Sequence, residues 1–115
     1  MKLTIYHNPR CRKSREALIY LEENGHQATV VDYKKEPLSE SDLAQLLKEL
    51  DHTAEELVRK NEAIWKTDFK GKNWSEKELI AALASHPKLI ERPIISDGNQ
   101  AVIARPLEKL IDFLK

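Results

Sequence analysis

The apolar residues of this chain follow two periods, and the order in which they alternate lays out a fold. Lys2-Leu3-Thr4-Ile5-Tyr6 is rich in β-branched and aromatic residues and predicts a first strand. From Arg12 to Asn24, Ala17, Leu18 and Leu21 recur at helical spacing, and Gly25 follows where a helix-terminating glycine stands. Gln27 to Tyr33 (QATVVDY) predicts a second strand. Pro37 then breaks the chain, and Ser39 opens a helix through Leu50 with Leu43, Leu46, Leu47 and Leu50 on one face. Thr53-Ala54-Glu55-Glu56 and Ser75-Glu76-Lys77-Glu78 fit the capping-box pattern, so two more helices start there. Leu79, Ile80 and Leu83 give the second of these a core face. Beyond His86-Pro87, Ile94-Ile95-Ser96 and Ala101-Val102-Ile103-Ala104 flank a turn at Asp97-Gly98-Asn99 and predict a β-hairpin. Pro106 serves as the first-turn residue of a last helix, with Leu107, Leu110, Ile111 and Leu114 facing inward.

The order is strand, helix, strand, several helices, hairpin, helix. Its first three elements make a parallel βαβ unit, and its last three add two antiparallel strands and a covering helix. The expectation is an α/β protein of thioredoxin-like fold, a four-stranded mixed sheet with an all-helical insertion. Residues 1–115 form one domain, with 1–37 and 92–115 as its core and 38–91 as the insertion. A chain of 115 residues, 41% hydrophobic and 33% charged, fits one globular unit. Lysine plus arginine (19) equals aspartate plus glutamate (19), so no net field draws the chain to nucleic acid or a membrane surface. No apolar run is long enough to span a bilayer, and the start of the chain is too short for a signal-peptide core. A single cysteine cannot form an internal disulfide, which points to a reducing, cytoplasmic setting.

That cysteine carries the chemistry. Cys11 falls between the first strand and the first helix, where free N–H groups and the helix dipole favour thiolate over thiol. Arg10, Arg12, Lys13 and Arg15 lie within four residues of it and favour the anion further. His7 adds a donor from the preceding loop. Ser14 stands where the second cysteine of a C-x-x-C motif would be; its hydroxyl can donate to the thiolate but cannot resolve a mixed disulfide. An outside thiol must therefore release any covalent intermediate on Cys11. The chain has six arginines, and the three away from Cys11 are Arg59, Arg92 and Arg105. Arg92 and Arg105 each precede a proline, which holds their backbone extended. In the expected topology both reach the end of the sheet that carries Cys11. Guanidinium forks suit a tetrahedral oxyanion better than lysine point charges do.

The stretch His7-Asn8-Pro9-Arg10-Cys11-Arg12-Lys13-Ser14-Arg15 resembles the H-N-P-x-C-x-x-S-R loop of the glutaredoxin-coupled arsenate reductase (ArsC) family. The resemblance continues through Leu57-Val58-Arg59-Lys60-Asn61, through His86-Pro87-Lys88-Leu89-Ile90-Glu91-Arg92-Pro93-Ile94-Ile95, and through Ala104-Arg105-Pro106. It implies that Cys11 is the nucleophile and that Arg59, Arg92 and Arg105 bind the oxyanion. His7, Ser14 and Arg15 would tune the thiolate, and Pro93 would be cis. The implied reaction is reduction of arsenate to arsenite through a thiolate–arsenate adduct, as in arsenic detoxification. Glutathione would act as co-substrate and glutaredoxin as partner, with no bound cofactor and no metal. The loop departs from the family's pattern at Arg12 and Lys13, bulky cations where the best-studied members carry small residues. Two alternatives use the same residues differently. A glutathione-linked thiol transferase needs the thiolate but has no use for three converging arginines. An Spx-like module binding RNA polymerase would put its function on the insertion. Trp65 and Trp74 read as packing or partner-contact residues, and Cys11, His7, His26, His52 and His86 stand at no metal-site spacing.

Overall fold

A computed structural model describes residues 2–115. Four strands, β1 (Leu3–His7), β2 (Ala28–Asp32), β3 (Ile94–Ser96) and β4 (Ala101–Ile103), form one sheet in the order β2-β1-β3-β4. β1 pairs parallel to β2 with His7 opposite Asp32, and antiparallel to β3 with Tyr6 opposite Ile94. β3 and β4 form the hairpin, with Ile94 opposite Ile103. Helix α1 (Arg12–Glu23) makes the crossover between the parallel strands. Helices α2 (Glu40–Leu50), α3 (Ala54–Leu57) and α4 (Glu76–Ser85) lie between β2 and β3 in sequence, and α5 (Glu108–Phe113) follows the hairpin. This is the thioredoxin-like arrangement with helices inserted after β2.

The pleat divides the core. Leu3 and Ile5 of β1 and Ile95 of β3 pack with Ala17 and Leu21 of α1 and Leu110 of α5 on one face. Ile94 and Tyr33 meet Leu43, Leu46, Leu47 and Leu50 of α2 and Leu79 and Leu83 of α4 on the other. Each leucine or isoleucine so buried contributes about 1.5–3 kcal/mol relative to an exposed one, so the two faces hold the sheet from both sides. α2, α3 and α4 all begin with reciprocal capping boxes, Ser39 with Asp42, Thr53 with Glu56 and Ser75 with Glu78.

Several details differ from the sequence reading. α3 is a single turn, because Val58 turns extended and bridges Ile90 in antiparallel fashion. A π-turn, Trp65–Phe69, was not expected; the Lys70 N–H donates to the Trp65 carbonyl at 2.8 Å. The wide turn buries both rings, stacked with centroids 5.7 Å apart, and Trp74 Nε1 donates to the Phe69 carbonyl at 2.9 Å. Both tryptophans therefore pack within the insertion. Pro106 is not in the first turn of α5. The Lys109 N–H donates to the Pro106 carbonyl and Leu110 to that of Leu107, a tight turn that delays regular helix to Glu108. Among the described residues no helix is long and apolar enough to cross a membrane.

Candidate active site

β1 delivers His7 to the end of the sheet, and the chain turns through Asn8-Pro9-Arg10 into α1. Asparagine and proline suit the first two positions of a β-turn. The Cys11 N–H donates to the Asn8 carbonyl at 2.9 Å, and the Arg10 N–H to Asn8 Oδ1 at 3.1 Å. Ser14, fully buried, ties this turn to the helix: its Oγ lies 2.7 Å from His7 Nδ1 and accepts the Asn8 N–H at 3.0 Å. Cys11 is thereby set as the N-cap of α1, with φ −92° and ψ 123°. Its sulfur forms no regular cap bond, but it lies where the free N–H groups of Lys13 and Ser14 and the positive helix end act on it.

The Cys11 thiol sits below its ordinary pKa, by a balance of opposing causes. Burial, the largest, pushes it up. The Ser14 N–H, the Arg92 guanidinium, the Lys13 N–H and the Arg92 charge together outweigh that. His7 is shifted the other way from a base ready to take a proton. Burial lowers it most, the Asp32 charge raises it in part, and the Arg15 charge lowers it again. The ring is therefore a neutral partner for the Ser14 hydroxyl.

Arg92 leads into β3, next to β1 in the sheet, and Arg105 leaves β4; the antiparallel hairpin brings both to the Cys11 end. The Arg92–Pro93 and Arg105–Pro106 bonds are both cis; the family resemblance implies the first and not the second. Arg92 is only 9% exposed, its Nη1 donates to the Lys88 carbonyl at 3.3 Å, and its Nε–H is buried without a partner. Arg105 Nη1 donates to the Arg92 carbonyl at 3.4 Å. Among the described residues, neither arginine pairs with a carboxylate. A buried guanidinium without counter-charge is costly, so it calls for an anion. The ionised Cys11 is one such anion.

Arg59 arrives differently. Its N–H donates to the Leu89 carbonyl, and the Glu91 N–H to that of Leu57, so the segment before Arg92 carries it. Its guanidinium is held by Glu62 at 3.1 Å and Glu91 at 3.4 Å. Tyr33, the last residue of the predicted second strand, lies among these groups. Arg92, Cys11 and Arg59 all act electrostatically on its hydroxyl, and burial pushes it up to about 12. Arg92 is near enough to act on that hydroxyl, yet the pair does not meet hydrogen-bond geometry, and the Tyr33 hydroxyl is buried without a partner. The signal for it was positional, a hydroxyl-bearing aromatic at the carboxyl end of the strand parallel to β1.

Two expectations are corrected. The cations neighbouring Cys11 in sequence do not hold the thiolate. Arg12 and Lys13 run along α1 to Glu16 at 3.3 and 3.9 Å, exposed. Arg10 is exposed, and Arg15 donates to the Pro9 carbonyl at 2.9 Å, bracing the loop. The cation that lowers the thiol is Arg92, eighty-one positions away in sequence (92 less 11). The Ser14 hydroxyl, in turn, is engaged by His7 and Asn8; Ser14 acts on the sulfur through its backbone N–H.

The chain as a whole is similar to known proteins. Residues 6–113 match the sequence model of the ArsC family. The chain is 42% identical to the uncharacterized protein YfgD of Escherichia coli, over 98% of this chain and 97% of that one. It is 36% identical to an arsenate reductase of Haemophilus influenzae, over 99% of this chain and 100% of that protein. The solved structure of an arsenate reductase from Vibrio cholerae superposes with a TM-score of 0.91 at 38% identity, covering 97% of each chain. With the match running almost from end to end in both sequence and fold, the chain belongs to the ArsC family.

Proposed function

We propose that this protein reduces arsenate to arsenite, with the Cys11 thiolate as nucleophile and glutathione and a glutaredoxin supplying the electrons. The observation that carries the reading is Arg92, a nearly buried guanidinium with no carboxylate, acting on a lowered thiol at a helix N-terminus. That combination suits a tetrahedral dianion, which would satisfy the free N–H groups of Arg92 and Arg105 at once. Arsenate reductases among its relatives support the choice of oxyanion.

In the proposed reaction the thiolate attacks arsenic(V), a sulfur–arsenic bond forms, and one oxygen leaves as water after protonation. Glutathione attacks the adduct. Arsenic(III) departs as arsenite when its bonding pair with sulfur stays on arsenic, and the two thiols end as a mixed disulfide between Cys11 and glutathione. Glutaredoxin then takes the glutathionyl group and returns Cys11 to thiolate. Arg59, loosened from Glu62 and Glu91, would stabilise charge on the adduct, an electrostatic role whose loss typically costs on the order of 10²–10³ in rate. Phosphate fits the same cradle but is not reduced by thiols.

The test is coupled turnover of arsenate with glutathione and glutaredoxin, for the natural protein, Cys11→Ser and Arg92→Ala. Both replacements should abolish or severely reduce arsenite release. Turnover indifferent to both would discard the assignment, and turnover with thioredoxin but not with glutathione and glutaredoxin would discard the proposed electron source.

A further inference from the structure

Tyr33 is the residue by which the chain leaves the carboxyl end of β2. Because β2 runs parallel to β1 with Asp32 opposite His7, Tyr33 emerges at the same end of the sheet as the Asn8–Cys11 loop. Its ring packs with the helical insertion and is fully buried. Phenylalanine would fill that space equally well. The hydroxyl is thus an added polar group in the core, and it makes no hydrogen bond within the protein. Burying such a group unpartnered is unfavourable unless something else satisfies it. Among the described residues, the other buried side-chain polar atom without a partner is Nε of Arg92, the guanidinium that acts on both Tyr33 and Cys11. Two buried polar groups without partners thus lie within electrostatic reach of one thiolate.

We propose that the Tyr33 hydroxyl is a substrate-binding residue, donating its O–H to an oxygen of the oxyanion held beside Cys11. The proposal rests on the oxyanion reading above and adds to its three arginines a neutral donor. An arginine attracts any anion at long range. A phenol that adds no charge rewards a well-placed oxygen acceptor, and the sulfur of a disulfide is a poor one. Tyr33 would therefore favour tetrahedral oxyanions over disulfide substrates at the same thiolate. With its pKa pushed up to about 12, the phenol keeps its proton throughout the range in which Cys11 ionises, so it acts as a donor and not as a general acid.

The experiment follows alkylation of Cys11 by iodoacetamide, with and without arsenate and with no other thiol present, in the natural protein and Tyr33→Phe. Arsenate should protect the natural protein. Tyr33→Phe should need about tenfold more arsenate, or beyond, for half-protection, as loss of one hydrogen bond to a charged group implies. Its alkylation–pH midpoint without arsenate should stay in place. Equal protection of both proteins would overturn the role of Tyr33 and leave the oxyanion reading standing. A moved midpoint would overturn it too, since the hydroxyl would then serve the thiolate. Absence of protection in the natural protein would overturn the oxyanion reading itself, and the Tyr33 role with it. A measurement needing no variant is the tyrosine ¹³Cζ spectrum of the natural protein. It contains three tyrosine signals, and arsenate should move that of Tyr33. A Tyr33 signal that stays fixed while arsenate protects Cys11 overturns the proposal.

Discussion

Arg92→Met should make the folded protein more stable while making its thiol less reactive. Methionine keeps much of the buried volume and removes the charge. Three contributions change while Cys11 is protonated. The unpartnered buried Nε–H disappears, relieving about 1–3 kcal/mol. The desolvation cost of the guanidinium disappears as well, several kcal/mol for a buried ion in general and less here because the side chain keeps some exposure. Against these, the 3.3 Å bond from Nη1 to the Lys88 carbonyl is lost, about 1 kcal/mol. The Nε–H penalty is part of that desolvation cost and is counted once, so the net expectation is a gain of about 1–2 kcal/mol. Ionisation of Cys11 cancels or exceeds that gain, because only the natural protein then has a guanidinium–thiolate interaction, about 1.5–3 kcal/mol for a charged hydrogen bond.

The sign with pH follows from the thiol. Its pKa in the folded protein lies below the ordinary value of 9.0, so the unfolded chain binds more protons between the two. The natural protein therefore gains stability as pH rises from the folded value toward 9.0 and loses it as pH falls back through the folded value. Arg92→Met should lose that rise. Urea unfolding in buffer free of oxyanions, once well below the folded thiol's midpoint and once near 9.0, measures both limbs. Iodoacetamide alkylation at neutral pH should fall about tenfold or more. A variant less stable than the natural protein at acid pH would refute the claim that Arg92 is a buried charge without a counter-ion.

Ser14→Ala should destabilise the fold by about 1–3 kcal/mol, since it strands the Asn8 N–H and His7 Nδ1. It keeps the backbone N–H that acts on Cys11, so the alkylation–pH midpoint should move less than in Arg92→Met. His7 predicts a second pH limb: its folded pKa lies below 6.5, so stability is lost as pH falls through 6.5 toward the folded value. In His7→Gln, urea midpoints measured against pH should show that limb flattened. Glu91→Gln removes one of the two carboxylates on Arg59 and should tighten arsenate protection of Cys11 up to about fivefold at low salt, as expected for a partly exposed pair.

Local features of the chain decide much of this protein. The Leu43-Leu46-Leu47-Leu50 stripe and the two capping boxes at Thr53 and Ser75 stand where the sequence places them, because helix caps and amphipathic faces depend on residues three or four apart. The parallel pair and the hairpin follow similarly, since a short strand, a helix and a second strand fold as a parallel unit, and a glycine turn joins β3 to β4. Cys11 as a helix N-cap is local too. What surrounds its sulfur is not. Four cations adjacent in sequence suggested an electrostatic cradle, but helical geometry sends Arg12 and Lys13 toward Glu16 and turns Arg15 back on the Pro9 carbonyl. The cation that lowers the thiol comes from the start of β3, and the hydroxyl beside it from the end of β2. Which side chains share one end of a sheet, and which of them are left without partners when water is excluded, is a property of strand order and burial. Neither can be read from neighbours along the chain.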